Sequence, residues 1–531
     1  MVNCSVCGKS ATKWETLRKH LRKHDVQIDA SDPITSDPES CTTTNDDVDD
    51  DSLPSVTSAH PKFDRAMFLL RSTSSLALNY SSIKHLCEST QTLMEQTAGQ
   101  MQQKMLCCLQ EKGITVDEVV KKIVTECCNV DEMFSGLSSR ALREKYYKQH
   151  LNYVEPSPSL LDKNWDWVND HGKMHLKEVE AKGYYIDLWE SLKSLLSNPA
   201  VREEIIGKSY VSTDGSMRDI CDGDFVKKHP VFRAHPDGLQ FLLYHDDIEV
   251  CNPLGTSAGV HKFGVFYYIY TLGNIRPVFR SSLQAIQLLG VAKSSDMNQS
   301  ARDILLRNFV QCMKLLSTDE GYRLELDSGV VVLHGAVVCL CGDIPASNFL
   351  GGFKKGVGFA LRKCRQCLCS KEDLKHNFHV GAYTLRDSHS HNHYCQLVES
   401  DVNGCLGYST TYGVNNASIL LDIPFFDVTK CLPYDIMHTI FEGVAPRLLK
   451  ELLVTFINIK KYFTLSELNQ SLASHHYGYS ELDTKPNTIT GSTMEYHIKQ
   501  KASQMKALIR LFPFIMGGFV PEGDEHTGVF S

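Results

Sequence analysis

The spacing of apolar and polar positions divides the chain into stretches of different period. Between about Phe63 and Tyr153, apolar residues recur at i, i+3 and i+4, as in SIKHLCESTQTLMEQ (82–96) and TVDEVVKKIVTECC (115–128). That period predicts amphipathic helices. Residues 154–210 keep no single period, and Pro156 and Pro158 mark a break. Strand character follows. GLQFLLYHDD (238–247) is an apolar run closing on two carboxylates, and GVFYYIYTL (264–272) is aromatic and β-branched, as buried strands are. ARDILLRNFVQCMKLL (301–316) predicts a helix, and GVVVLHGAVVCL (329–340) a second strong strand running into CGDIPA and Asp343. LPYDIMHTIFEGVAPRLLKELL (432–453) reads as a helix. ALIRLFPFIMGGFV (507–520) is apolar but broken by Arg510. It is shorter than the ~20 residues of a membrane span, so it predicts buried core and no membrane partner. No internal repeat is visible.

With 531 residues, 42% apolar and 22% charged, the chain has an ordinary globular composition and is too long for one core. No leader pattern opens it, so secretion is not expected. Nineteen cysteines, some in CxxC pairs and some in apolar runs, fit zinc sites and buried thiols in a reducing compartment better than disulfides. The net charge of −8 hides an asymmetry: residues 1–24 carry six Lys or Arg against Glu15 alone, whereas 25–61 carry ten Asp or Glu and no Lys or Arg. Any affinity for nucleic acid must therefore come from local patches. The acidic stretch has too few large apolar residues to offset its ordering entropy, and predicts a disordered tether.

The opening string CSVCGKSATKWETLRKHLRKH has the spacing C-x2-C-x12-H-x3-H. Two thiolates on a hairpin and two imidazoles one helical turn apart can close a tetrahedron around zinc, so Cys4, Cys7, His20 and His24 are expected ligands. Leu17 takes the small-core position, and Trp14 substitutes for the aromatic that Ala11 does not supply. Docked in the usual way, such a finger reads bases through Lys13, Thr16 and Lys19. One finger covers only ~3 bp, so it could equally grip a protein.

Two strands ending in Asp, then a helix carrying Glu442, suggest a second chemistry. In a ribonuclease-H-like fold, Asp residues ending the first and fourth strands join a later helical acid to hold two Mg²⁺. Paired metals of this kind serve phosphoryl transfer, and oxygen-only ligands suit Mg²⁺. Singly, an Asp after a strand is usually a turn residue and a Glu on a helix a solvated face.

Three blocks, DDIEVCNPLG (246–255), GDIPA (342–346) and YDIMHTIFEGV (434–444), resemble the Asp before Asn-Pro-Gly, Asp-x-Pro-Ala and Asp-x-Met-His-x3-Glu blocks of CACTA-type (En/Spm-like) transposases and their animal relatives. They stand in the family's order, with a CxxC pair between the second and third, and the resemblance covers roughly 140–520. It implies a DDE-type core with Asp247, Asp343 and Glu442 as the metal-binding triad and His438 beside it. His438 and Glu442 are i and i+4, so both can look into one site. Two extra residues separate Asp247 from Asn252-Pro253, which leaves Asp246 open as the first carboxylate. The resemblance also implies more helical sequence beyond GDEHTGVFS, so a fragment or a partly retained element is expected.

CRQCLC (364–369) is followed by His376, His379 and SHSHNHYC (388–395). A second structural zinc is expected from Cys364 and Cys367 with His389 and His393, and His391 or His379 stay open as replacements. The resemblance supports a CxxC plus paired-His insert here, folding a segment too polar to hold itself together.

The sequence thus predicts an α/β protein with a ribonuclease-H-like mixed sheet, a helical N-terminal region, a Cys/His-rich insertion and a separate ββα finger. The expected order is a finger (1–25), an acidic linker (26–61), a helical domain (62–153), a connecting region (154–210), the core (211–453, insertion about 360–430) and a helical end (454–531). The expected function is a nuclear, transposon-derived DNA-binding protein, cutting and joining DNA with Mg²⁺ or Mn²⁺ if active. It binds zinc, acts on no small-molecule substrate, and as a transposase relative is expected to form homo-oligomers. The competing reading is a domesticated, non-catalytic regulator or scaffold that binds DNA or protein.

Overall fold

A computed structural model of the chain describes residues 2–3, 10–11, 61–76, 79–130, 133–206, 211–250, 261–269, 274–280, 282, 285–491 and 497–526. The chain divides into two units, Met1–Asp64 and Arg65–Ser531. Of the first, the described part is an antiparallel pair, Val2–Asn3 against Ser10–Ala11, and the start of a helix opening at Pro61. The finger residues Cys4, Cys7, Lys13, Thr16, Lys19, His20 and His24 lie outside the described residues, as do Asn252 and Pro253.

The larger unit begins with helices where the period of four predicted them: α1 (Pro61–Leu76), α2 (Tyr80–Glu111), α3 (Glu118–Cys127) and α4 (Arg140–His150). Asn79, Asp117 and Ser139 cap the last three, each accepting an amide hydrogen from the first turn, which satisfies donors no helix can satisfy itself. Ala66, Leu69, Ile83, Cys87, Phe134 and Leu137 form a small core of their own.

The protein is mixed α/β, built on a mixed six-stranded sheet. Its strands are β1 (Ser157–Asp170), β2 (Lys173–Tyr185), β3 (Leu239–Glu249), β4 (Lys262–Ile269), β5 (Ile286–Lys293) and β8 (Gly335–Cys341), in spatial order β8-β3-β4-β5-β2-β1. Every neighbouring pair is antiparallel except β8 and β3. Between β5 and β8 run helix α7 (Gln299–Leu316) and a separate hairpin, β6 (Tyr322–Leu326) with β7 (Gly329–Leu333). Leu305, Phe309 and Met313 of α7 meet Phe241, Leu243 and Phe266 of the sheet in the main core, joined by Leu188 and Leu192 of helix α5 (Leu188–Leu196) and Ile205 of helix α6 (Pro199–Ile205). Each such side chain contributes about 1.5–3 kcal/mol of burial. A smaller cluster of Val226, Val231 and Phe232 covers Ala336 and Val338 on the other side of β8. β8 is therefore buried almost throughout, which explains its unbroken apolar run.

Three elements differ from the periodicity. Residues 157–185, which keep no apolar stripe, form a long hairpin joined to the sheet through Gly183–Tyr185 on β5. Most of it is exposed, Trp165 and Trp167 included, so burial leaves no pattern in its sequence. The run 329–340 is two strands, because the chain turns at His334: β7 pairs outside the sheet and β8 within it. The helix expected over 432–453 begins later, with a wide π-type helix at Met437–Val444 continuing into α10 (Ala445–Val454): Pro433 disfavours helix at Leu432, the Cys431 carbonyl is held on the Leu340 amide, and the Asp435 side chain takes the Met437 amide. Phe441 and α10 pack into a C-terminal helical core with Met505, Leu508 and Phe512. Among the described residues, no helix is long and apolar enough to cross a membrane.

Candidate functional site

Parallel pairing of β3 and β8 sets the site. Cys341 lies opposite Tyr244, so Asp343, two residues on, comes level with Asp246, where β8 has ended and β3 runs on to Glu249. Gly342 makes this possible, since a Cβ there would stand 2.9 Å from the His245 carbonyl. Asp343 also caps helix α8 (Ile344–Leu350), its Oδ1 accepting the Ala346 amide at 2.7 Å. The segment before the π-type helix runs along the outer edge of β8, where the Leu340 amide donates to the Cys431 carbonyl at 2.8 Å. That course carries Tyr434, Asp435 and His438 to the C-terminal end of β8, beside Asp246 and Asp343.

The result is a cavity of about 660 Å³ lined by Tyr244, Asp246, Asp343, Asp435 and His438, with Cys341 on its wall. Successive strand residues point to opposite faces, so Asp246 and Asp247 take different hydroxyl partners. Asp246 accepts the Tyr244 hydroxyl at 3.1 Å and faces this cavity. Asp247 accepts the Ser294 hydroxyl at 2.9 Å and joins Asp246, Asp343 and Lys355 around a second cavity of about 100 Å³. Gly264, opposite Asp247 in register, leaves room for that carboxylate, whose Oδ1 would be 3.3 Å from a Cβ there. Asp246 and Asp343 border both spaces. Of the two open candidates for the first carboxylate, Asp246 shares both cavities with Asp343, and Asp247 the smaller alone.

Glu442 lies one turn beyond His438, whose Nε2 is 3.9 Å from Glu442 Oε2. It borders a neighbouring cleft of about 430 Å³ with Arg447, Lys450 and His497. Asp435, in sequence only a letter of the Met-His block, lines the cavity too. It accepts the Met437 amide at 2.8 Å and is bound by His438 Nδ1. Its i, i+3 spacing to His438 was the signal available for it.

The local field is strongly negative. Burial and the nearby Asp246, Asp435 and Asp343 carboxylates push the Tyr244 hydroxyl up to about 12. The bond from Asp435, with the charges of Glu442 and Asp343 behind it, raises the His438 imidazole above its usual value. Burial pushes Asp435 up, but its bonds from His438 and the Met437 amide outweigh this and hold it below the usual carboxylate range. The carboxylates are not closed on one another: among the described residues, the one group of three metal-binding side chains with ligand atoms mutually within 4.8 Å is Cys364, Cys367 and Cys369.

That sulfur group could hold a metal ion. It includes Cys369 and neither His389 nor His393, which are exposed on helix α9 (Ser388–Ser400). The inward face of α9 is instead His391 and Cys395, both buried, with Cys395 Sγ 3.5 Å from His391 Nε2. His391 and His379 are not in the sulfur group either. The signal for this phase was the spacing of His391, Tyr394, Cys395 and Val398 along one helix face.

Two buried guanidiniums flank the sulfurs. Arg365 donates to Asn348 Oδ1 at 3.0 Å and to the Pro433 carbonyl at 3.3 Å. Arg386 donates to the carbonyls of Cys364, Arg362 and Tyr412 at 2.9, 3.0 and 2.6 Å. Both are under 5% exposed, and among the described residues neither forms an ion pair with a carboxylate. Buried charge without a counter-charge is costly. Three metal-bound thiolates would carry one net negative charge on a divalent ion and offset part of that cost, so the donor set fits a soft cation. Burial pushes the Cys364 thiol up, but bonds from the Tyr434 hydroxyl and the Gln366 amide outweigh it and hold it below the ordinary value.

The chain matches no known family and no curated protein to which it has been compared.

Proposed function

We propose that the chain is a transposon-derived DNA-binding protein whose core is a DDE-type, ribonuclease-H-like fold that cuts and joins DNA with Mg²⁺ or Mn²⁺. The observation that carries this reading is the meeting of Asp246, Asp343, Asp435 and His438, from three distant parts of the chain, around one cavity. Supporting it is the strand order: three antiparallel strands, a helix, then a strand returning parallel beside the first. The CACTA-type resemblance of the same three segments points the same way.

Asp246, Asp343 and Asp435 would hold a hard divalent cation, and so much carboxylate charge facing one space calls for one. Such a cation supplies activation of an attacking oxygen and charge relief for the leaving one. Asp435 orients the His438 ring and keeps a proton on it, leaving Nε2 to meet a phosphate oxygen or return that proton. Glu442, 3.9 Å from His438 Nε2 in the neighbouring cleft, would complete the set on turning inward.

At the other end of the chain, Cys4, Cys7, His20 and His24 bind zinc in this reading, and Lys13, Thr16 and Lys19 contact DNA. Zinc also fills the Cys364, Cys367 and Cys369 group. The protein acts in the nucleus, as a homo-oligomer.

A second reading, a regulator that keeps the fold without the chemistry, has one observation in its favour: the carboxylate oxygens are not drawn to mutual ligating distance. Incubating the full chain with terminal-repeat DNA and Mg²⁺ or Mn²⁺ separates the two. Nicking by the native chain and none by Asp343→Asn or Asp435→Asn supports the enzyme. Equal cleavage by all three rules out catalysis at this centre.

A further inference from the structure

We propose that Tyr434 couples the sulfur cluster to the carboxylate cavity, so that a zinc-class ion on Cys364, Cys367 and Cys369 holds Asp435 and His438 in place against Asp343. The inference rests on the reading of that cavity as a divalent-cation centre.

Tyr434 touches both sites. Its hydroxyl lies 3.2 Å from Cys364 Sγ, and the residue itself lines the carboxylate cavity. The Arg365 guanidinium sits 4.5 Å over its ring and bonds the carbonyl of the preceding Pro433. The same guanidinium bonds Asn348, which belongs to α8, the helix capped by Asp343. A buried arginine thus ties the loop carrying Asp435 to the helix carrying Asp343, and the tyrosine hydroxyl ties that loop to the sulfurs.

Downstream, the loop has little else to locate it. Ile436 and Met437 are 62% and 44% exposed, and the bonds of Asp435 run to its own neighbours Met437 and His438. The next packed anchor is Phe441, in the C-terminal helical core. His438 opens the helix that Phe441 anchors, while Asp435, ahead of that helix, is located from the Tyr434 side and bonds the His438 ring.

Metal binding would strengthen this hold. Each coordinated sulfur gives up its proton to solvent, and a hydroxyl donating to a thiolate makes a charge-assisted bond, about twice as strong as a neutral one. The ion also fixes the three sulfurs relative to one another, and hence the end of the bond that the tyrosine holds. Tyr434 is a positioning residue in this scheme and touches no reacting atom.

The test uses the full chain loaded with zinc, then dialysed, as the native form, as Tyr434→Phe, as Cys367→Ser and as Asp343→Asn. Phenylalanine keeps the ring under Arg365 and removes only the hydroxyl. The measurements are zinc content, melting temperature, and Mn²⁺ affinity and line shape by electron paramagnetic resonance. Tyr434→Phe is expected to keep its sulfur-site zinc and its melting temperature within about a degree. Its Mn²⁺ affinity should fall about tenfold, equivalent to 1.4 kcal/mol, and the line shape of the Mn²⁺ still bound should change as Asp435 withdraws. Cys367→Ser should show the same two changes together with loss of that zinc. Native Mn²⁺ affinity and an unchanged line shape in Tyr434→Phe, while Asp343→Asn abolishes Mn²⁺ binding, would overturn the coupling and leave the cavity reading standing. Mn²⁺ binding unaffected by Asp343→Asn would overturn both.

Discussion

Asp343 holds two positions at once, and substituting it in two ways separates them. Its Oδ1 caps α8 through the Ala346 amide, while its charge faces Tyr244, Lys355 and His438 from between the two cavities. Alanine removes both roles. An Asp cap replaced by Ala costs about 0.5–2 kcal/mol, whereas Asn caps nearly as well as Asp. The helix it caps carries Asn348 and Phe349, the partners of Arg365 and Arg302, so cap loss is felt in the core and the upper half of that range, about 1–2 kcal/mol, applies. For a unit of about 470 residues, with an unfolding entropy of about 2.1 cal/mol/K per residue, each kcal/mol lowers the melting temperature by about 1 °C, so the loss is about 1–2 °C. Asp343→Asn should melt within about half a degree of the native chain on the same scale. Both variants should lose Mn²⁺ binding. Thermal unfolding followed by circular dichroism, beside a Mn²⁺ titration of the same samples, reads both effects. An Asn variant that binds Mn²⁺ normally, or an Ala variant as stable as native, would refute this division of roles.

Arg302 is fully buried, bonds the Phe349 carbonyl at 2.6 Å and pairs with the partly exposed Asp303. Arg302→Met should cost about 2–3 kcal/mol by leaving both partners unanswered, read as a lower urea midpoint. The His438 value is raised and the Asp435 value lowered. The histidine's stabilisation is therefore full below its free value and lost as pH rises through its folded one. The aspartate's is full above its free value and lost as pH falls through its folded one. Stability lost by Asp435→Asn should peak between those limits, and a pH-independent difference in urea midpoint would contradict the pairing. Zinc content should be two equivalents per chain, with one lost in Cys4→Ser and the other in Cys367→Ser. Retention of both equivalents in either variant counts against that site.

Much of the central sheet could be read from the chain because its strands are buried on both faces. GLQFLLYHDD and GVFYYIYTL had to be apolar throughout, and β3 and β4 lie on them within two or three residues. α7 matched its period for the same reason. The β1–β2 hairpin escaped because its exposed faces carry no stripe. Asp343 could be singled out by the strand that ends on it. Asp435 could not, since its role depends on the loop lying along β8. At the sulfur group, i, i+4 spacing suggested His389 and His393, but His391 with Cys395 has the same spacing and the inward phase. Spacing gives a shared face, and only packing decides which face turns in.

The most direct measurement is an anomalous difference map from a crystal of the full chain soaked in Mn²⁺. A peak bounded by carboxylate oxygens of Asp246, Asp343 and Asp435, absent in Asp343→Asn, is the predicted result. A fully soaked crystal without a peak among these residues would contradict a divalent-cation centre, and with it the proposed chemistry.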